Sequence, residues 1–264
     1  MENNSIIINE NNKVNQTFFD STDIQVTTAK QYPRDISKSL QEAEMMALMS
    51  EEIAESCIYA VPRRDNDGKE KLIQGPSIRL AEIVSSAWGN LHMASEIKEN
   101  NGSTITARAY CWDLEKNVRA GVEVKRSIVN KYNKRYSTDM QIVTGNAACS
   151  IALRNAIFKV IPKGYVESLL NKCRDKSLDN SKFTEKRNLV FERLNNLGVN
   201  NELIFSFYNK YKIEDFNEED IKDLIGVGTA IKDGYLPVDQ AFRKETKSEK
   251  ILDILNEQAV PIHE

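Results

Sequence analysis

Basic and tyrosine side chains, which could neutralise and stack a nucleic acid, are concentrated in residues 119–163. Nine basic residues stand there against two acidic ones, Glu123 and Asp139, in a 264-residue chain of formal net charge −3. The basic residues are Arg119, Lys125, Arg126, Lys131, Lys134, Arg135, Arg154, Lys159 and Lys163. A positive segment within an acidic chain is an electrostatic footprint, and nucleic acid is the obvious polyanion for it.

The densest part of this segment is predicted to be a strand followed by a hairpin tip, N-K-Y-N-K-R-Y-S at 130–137. Its candidate nucleic-acid-binding residues are Lys125, Arg126, Lys131, Tyr132, Lys134 and Arg135. Phosphate neutralisation combined with stacking on aromatic rings binds single strands with little sequence preference. A solvent-exposed hairpin whose lysines only keep the chain soluble is the alternative interpretation.

Three further basic side chains extend the candidate site onto predicted helices. Arg154 and Lys159 follow on a helix that also carries the small residues Ala152 and Ala156. Small residues would let a DNA strand or a neighbouring subunit approach closely, but they would equally let the helix lie tightly on its own sheet. Arg79, on the polar face of an earlier helix, completes the candidate set.

One pattern could carry catalysis instead of binding. Asp113 is followed, after nine residues, by Glu123-Val124-Lys125, the order in which restriction-type nucleases hold two carboxylates and a lysine. Glu123 and Lys125 fall on the same face of a strand, so they could hold Mg²⁺ and help to activate water. Acid and lysine also alternate on the polar face of ordinary sheets, which is the interpretation we favour. A magnesium-dependent nuclease stays an alternative.

Other catalytic chemistries find little support. The chain has only two histidines, and its four cysteines lie far apart without C-x-x-C spacing, as is typical of reduced structural thiols. It contains no Walker A loop and no G-x-G-x-x-G, G-x-S-x-G or H-E-x-x-H pattern. No apolar run approaches the roughly 20 residues of a membrane span, and the first residues lack the features of a secretory signal. We therefore expect no cofactor, no metal, no catalytic residue and no membrane association.

The apolar periodicity predicts an α+β fold, with an antiparallel sheet that carries helices on one face. After a single helix that runs from the expected N-cap Asp35 to about Ser56, the predicted order is strand–strand–helix–strand–strand–strand–helix. The strands are expected at 57–62, 71–74, 105–111, 118–125 and 140–144, and the two helices at 76–88 and 145–161.

Charge and composition divide the chain into five regions. These are a flexible N-terminal arm (1–34), a core (35–172), a polar linker (173–182), a small acidic helical domain (183–244) and a tail (245–264). Residues 177–264 carry 17 acidic and 12 basic side chains, so the acidic character is concentrated at the C-terminal end. Helices are expected there at 184–198, at 201–211, from the N-cap Asn217 onward and at 238–243. The basic segment lies entirely within the expected core.

Two stretches carry a family resemblance: A-V-P … L-I-Q-G-P-S-I-R-L-A-E-I over 60–83 and S-I-A-L-R-N-A-I-F-K-V-I-P over 150–162. They resemble the RecT/Redβ-type single-strand annealing proteins of phages, over about residues 57–170. The matching positions are Gln74, Gly75, Leu153, Arg154, Asn155 and Lys159. Pro76 stands where an aromatic residue often follows the hairpin glycine, and Ala148-Cys149 where a basic pair precedes the helix motif. The resemblance is therefore to a divergent member.

This resemblance implies ATP-independent binding and annealing of single-stranded DNA in phage-type homologous recombination. It implies a sheet-and-helix groove, assembled into a ring or filament of identical subunits, with phosphate contacts from Arg154 and Lys159. The ligands would be single-stranded DNA and annealed duplex, in the cytoplasm of a bacterial host cell. The C-terminal domain would recruit a partner exonuclease or a single-strand binding protein. A non-enzymatic phage interaction protein remains a second alternative.

Overall fold

A computed structural model of the chain describes residues 23–64, 70–130, 132–178 and 183–242. It confirms the α+β class, with antiparallel strands in one two-stranded and one three-stranded sheet. The strands are β1 (Ile58–Arg64), β2 (Glu70–Pro76), β3 (Leu91–Asn100), β4 (Thr104–Asp113) and β5 (Val118–Ser127). The helices are α1 (23–31), α2 (Ile36–Ala47), α3 (Glu51–Ser56), α4 (Ile78–Trp88), α5 (Thr138–Val160), α6 (Lys163–Lys176), α7 (Phe183–Asn196), α8 (Asn201–Tyr208) and α9 (Glu218–Lys232).

The chain forms two compact units. The N-terminal unit comprises the described residues within 1–57 and 76–173, and the C-terminal unit those within 58–75 and 174–264. The β1–β2 hairpin thus groups with the C-terminal helices, whereas the sequence-based boundaries had included it in a core at 35–172. Close packing of β1 on α9 explains this grouping, since a Cβ atom added at Gly226 would lie only 2.8 Å from Cβ of Ala60.

The sheet of the N-terminal unit is an antiparallel meander in the order β3-β4-β5. Residues of β4 alternate between two environments: Ala107 and Ala109 are buried on the side that α5 covers, while Arg108 is exposed on the other side. The alternation predicted at 105–111 and 118–125 is therefore confirmed, and within this unit the helix α5 lies on one face of the sheet.

The predicted strand at 140–144 is wrong, because these residues form the first turns of α5. Ser137 caps this helix, its Oγ accepting the N–H of Met140 at 3.4 Å. Gly145 lies within the helix, not at its start, and a Cβ there would contact Ile97 Cδ1 at 3.5 Å, so glycine lets α5 lie close to the sheet. The third strand of the meander is instead β3, which precedes the two predicted strands.

The segment predicted as a flexible arm is helical and anchored where the structure describes it. Residues 23–31 form α1, and the Arg34 side chain is buried against Asp113; residues 1–22 lie outside the described ranges. Asp35 is confirmed as an N-cap, its Oδ1 accepting N–H groups of the first turn of α2. The predicted single helix ends at Ala47, and Ser50 caps α3 as a separate helix.

In the C-terminal unit, α7, α8 and α9 enclose aromatic side chains such as Phe191 and Phe216, whose ring centroids are 4.9 Å apart. Asn217 caps α9 in a reciprocal capping box with Asp220, as the sequence predicted. The predicted short helix at 238–243 is a single 3₁₀ turn at Val238–Gln240. The predicted linker begins within α6, and both its residues 179–182 and the tail 245–264 lie outside the described residues. No helix within the described ranges is both long and apolar enough to cross a membrane.

Candidate functional site

The three-stranded sheet leaves one face uncovered by α5, called the open face below. Its side chains lie in rows across the three strands, as the register of the two strand pairs defines them. From one end of the sheet to the other the rows are His92–Trp112–Arg119, Ala94–Tyr110–Gly121, Glu96–Arg108–Glu123 and Glu99–Thr106–Lys125. The first two rows are aromatic and the last two are charged.

An aromatic cluster, consisting of His92, Tyr110, Trp112 and Arg119, occupies the first two rows. The Arg119 guanidinium lies over the Tyr110 ring, 4.2 Å from its centroid, and Tyr110 OH is 3.2 Å from Nε2 of His92. The indole N–H of Trp112 donates to Oδ1 of Asn117 at 3.1 Å. Each ring is thus held in a fixed orientation by a polar contact while it remains partly accessible to solvent.

The charged rows contain an ion cluster around Glu123. Its Oε1 accepts hydrogen bonds from Lys98 Nζ at 2.8 Å and from Arg108 Nη2 at 2.8 Å. These hydrogen bonds, first that of Lys98 and then that of Arg108, hold the pKa of Glu123 below its usual value. Two cations therefore share one carboxylate, but Glu96 and Glu99 in the same rows balance the charge, so that three acidic and three basic side chains lie in this part of the face.

Beyond the charged rows, the chain leaves β5 in a compact loop whose described residues are 128–130 and 132–136, called the basic loop. Asn130 organises it: its Oδ1 accepts the N–H groups of Tyr132 and Lys134, both at 3.0 Å, and its own N–H donates to the carbonyl of Lys134. Asn133 adopts the left-handed conformation, φ 59°, which asparagine tolerates well. An asparagine side chain that mimics a backbone turn thus holds the basic loop in one shape.

Arg135 fastens the basic loop to the β3–β4 turn. Its Nε donates to the carbonyl oxygen of Gly102 at 2.9 Å. Gly102 has φ +90°, and a Cβ there would clash with the Arg135 guanidinium, so both the backbone and the contact favour glycine. The loop and the turn consequently form one end of the open face.

The structure brings part of the predicted basic set to this end of the sheet. Lys125, Lys134 and Arg135 are exposed, and the Tyr132 side chain is 78% exposed. Arg126 differs from them, since it pairs in register with Ile105 and so points to the α5 side, where it is half-buried. Burial lowers the pKa of its guanidinium. Lys131 lies outside the described residues.

The remaining predicted basic residues lie elsewhere in the N-terminal unit. Arg154 and Lys159 belong to α5, which covers the opposite face of the sheet from Lys125. At 1.5 Å per residue they lie roughly 24 and 31 Å along the helix from its start near the basic loop. The Arg154 guanidinium donates to Oδ1 of Asn155, and that of Arg79, on α4, pairs with Glu82 at 2.9 Å. The nine candidates therefore do not form one cluster.

The acid–lysine pattern of the nuclease alternative is not assembled. Asp113 is 2% exposed and points to the α5 side, where it binds Arg34, whereas Glu123 lies on the open face. Glu123 pairs with Arg108, five residues from Asp113, so the two carboxylates are also separated by roughly 17 Å along β4. Among the described residues, no three His, Cys, Asp or Glu side chains group as metal ligands.

Sequence reasoning did not select the aromatic cluster. From the sequence, His92 is expected to be a packed or exposed structural residue, and alternation places Tyr110 on the polar side of its strand. The two-residue alternation of β4 could have identified the cluster. Tyr110 and Trp112 lie two and four residues after Arg108, so alternation places both aromatic residues on the same uncovered face as Arg108. Large rings at such positions are informative because they stay partly in water.

Comparison with known proteins identifies no relative, since the chain matches no family model, no curated protein and no solved structure. The resemblance to phage annealing proteins therefore stays a prediction. The site is described by its own geometry: a basic loop fixed to one end of an exposed sheet face, and an aromatic cluster at the other end.

Proposed function

We propose that this chain binds single-stranded DNA and anneals complementary strands without ATP, as a DNA-binding protein of phage-type recombination. The observation that carries the proposal is the basic loop, where Lys134 and Tyr132 are exposed on a scaffold fixed by Asn130 and Arg135. A fixed loop spends less conformational entropy on binding than a mobile one. Cations beside an exposed aromatic ring can bind the phosphates of a single strand while the ring stacks on one of its bases.

Annealing requires that strands be held through their backbones while their bases stay free to pair. Base pairing then supplies the specificity, so side chains that read base edges are unnecessary. Lys125 and Lys134 serve as phosphate contacts in this proposal, and Arg135 acts mainly by fixing the loop. Arg154 and Lys159 are too distant to join the same local contact, so they would bind a longer stretch of DNA or a second strand.

We also propose the cellular location, the oligomeric state and the partners that the family resemblance implies. The chain acts in the cytoplasm of a bacterial host cell as a homo-oligomer, a ring or a filament, on single-stranded DNA and annealed duplex. The acidic helical domain expected at 183–244 recruits a partner exonuclease or a single-strand binding protein. No cofactor and no catalytic residue take part.

The salt dependence of binding tests the role of the loop. In the variant Lys125→Gln/Lys134→Gln, the slope of log K against log salt for a single-stranded oligonucleotide should become shallower by about 1.4, because each phosphate contact to a single strand contributes about 0.7. Fluorescence anisotropy across a series of salt concentrations measures this slope.

A matched control uses Lys212→Gln/Lys232→Gln, which removes two exposed lysines from the C-terminal unit. Net charge changes equally in both variants, so only the position of the lost charge differs. The control should keep the slope of the unchanged protein. Equal slopes for the two double variants would remove the basic loop from the DNA-binding site.

A further inference from the structure

The aromatic cluster at the far end of the open face has the features of a base-stacking site. Tyr110 and Trp112 are same-face neighbours on β4, so their Cα atoms lie about 7 Å apart. Successive bases of a duplex strand are separated by about 3.4 Å. Two rings at about twice that distance therefore suit a single strand whose bases are unstacked from one another. Unstacked bases are the ones that stack on aromatic side chains of proteins.

The neighbours of Tyr110 leave space for a planar ligand. Its cross-strand partners are Ala94 and Gly121, both exposed and both too small to cover a ring. A Cβ added at Gly121 would meet only the carbonyl oxygen of Ala109, at 3.9 Å, so the space above this position is open. The Arg119 guanidinium, already stacked on Tyr110, offers a second planar surface on which a base can stack.

Charge favours a nucleic acid as the occupant of this site. Of the six residues in the first two rows, Arg119 alone carries a permanent charge, and it is positive. The acidic residues of the open face, Glu96, Glu99 and Glu123, lie in the two rows beyond, together with the cations Lys98, Arg108 and Lys125. A phosphodiester backbone can thus approach the cluster without facing a carboxylate in the same rows.

We propose that the aromatic cluster of His92, Tyr110, Trp112 and Arg119 stacks unpaired bases of a single strand that runs along β4 from the basic loop. This inference rests on the proposed function, which supplies the strand. From Lys125, opposite Thr106, to Trp112 is six residues of β4, or about 20 Å. That length holds about three nucleotides at 7 Å spacing, or about six if the strand keeps the 3.4 Å of a stacked helix.

Two ligands of equal backbone charge test the stacking: an oligothymidylate and an abasic deoxyribose-phosphate oligomer of the same length. Trp88 is 2% exposed, so a change in tryptophan emission on binding reports Trp112. Oligothymidylate should quench this emission and bind at least about fivefold more tightly than the abasic oligomer, since a single base–aromatic stack contributes that much. The abasic oligomer should leave the emission unchanged.

The variant Gly121→Leu introduces a side chain opposite Tyr110, at a position where the added Cβ would meet only a backbone oxygen within 4 Å. It should weaken the quenching and lower the affinity for oligothymidylate toward that for the abasic oligomer, because a base can no longer stack on Tyr110 beside Trp112. Gly164→Leu, at a helical position with nothing within 4 Å of its added Cβ, is the matched control and should behave like the unchanged protein.

The outcomes separate this inference from the function on which it rests. Equal affinity for both ligands, with a normal salt slope, would overturn base stacking and leave DNA binding by the loop intact. Quenching and oligothymidylate affinity that are both unchanged in Gly121→Leu would also overturn the assignment to this cluster. Failure of both ligands to bind at low salt would overturn the inference together with the proposed function.

Discussion

Replacing Arg34 by methionine is expected to lower the free energy of unfolding of the N-terminal unit by about 3–5 kcal/mol, because it leaves the buried Asp113 carboxylate without its cation. The Arg34 guanidinium donates to Asp113 Oδ2 at 2.5 Å and to Oδ1 at 3.0 Å, and the two side chains are 5% and 2% exposed. Its central carbon also lies 4.8 Å from the Trp88 ring centroid. Urea denaturation followed by tryptophan emission measures the change, since both tryptophans belong to this unit.

The loss should shrink as the pH falls. Burial by itself raises the pKa of Asp113, but the hydrogen bonds from Arg34 and from the Lys116 N–H outweigh it and hold this pKa below its usual value. A lowered pKa in the folded state stabilises the protein above the ordinary aspartate pKa of about 3.9, and this contribution is lost as the pH drops through the folded value. Without Arg34, burial is the dominant influence and raises the pKa of Asp113. Protonation of Asp113 as the pH falls below neutral then removes the buried unpaired charge, so the stability of the variant approaches that of the unchanged protein.

A double variant separates this ion pair from general packing. Arg34→Met/Asp113→Asn removes both charges, and the carbonyl of the introduced amide can still accept the N–H groups of Glu115 and Lys116 that now bind Oδ1 of Asp113. Most of the lost stability should return. A loss below about 1 kcal/mol in the single variant, the value typical of an exposed pair, would contradict the buried anchor.

Alanine substitutions at two glycines of α9 should change the stability of the C-terminal unit in opposite directions. At Gly226 the new Cβ would lie 2.8 Å from Cβ of Ala60 and 2.9 Å from its backbone nitrogen, so β1 must shift. Overpacking of this kind costs typically 1–3 kcal/mol, more than the roughly 1 kcal/mol that alanine gains in helix propensity. Gly226→Ala should therefore be destabilising overall.

Gly228→Ala provides the matched control on the same helix. Its Cβ would meet only Leu194 Cδ2, at an ordinary contact distance of 3.8 Å, so the propensity gain of about 1 kcal/mol should appear as added stability. Hydrogen exchange of the α9 amides in the full chain measures both effects. The same sign for both variants would show that β1 does not pack against α9 at Gly226.

The periodicity of the sequence correctly predicted those helices and strands in which local preference and tertiary packing favour the same structure. Alternation identified β4 and β5, and the caps Asp35 and Asn217 were correct because capping depends only on neighbouring residues. The run Ile142-Val143-Thr144 was misread as a strand, since β-branched residues favour strands until tertiary contacts decide otherwise. Here the contact is the sheet itself, on which α5 lies closely at Gly145.

The site was harder to predict than the fold, because its residues are brought together by the register in which the strands pair. Charge in the sequence revealed the basic loop, yet Lys125 and Arg126 are consecutive and point to opposite sides of the sheet. Arg154 and Lys159 added to the same charge count but lie on the helix that covers the other face. Tyr110 and Arg119 stack on each other although nine positions separate them, which only the pairing of β4 with β5 determines.

Strand annealing in solution tests the central claim most directly. Two complementary oligonucleotides, labelled so that pairing quenches their fluorescence, are mixed with the full chain in EDTA and without ATP, and again with Mg²⁺. We expect the chain to accelerate pairing in both conditions, the Lys125→Gln/Lys134→Gln variant to do so less, and the strands to stay intact. No acceleration over protein-free strands, or cleavage of the strands on addition of Mg²⁺, would contradict the proposed function.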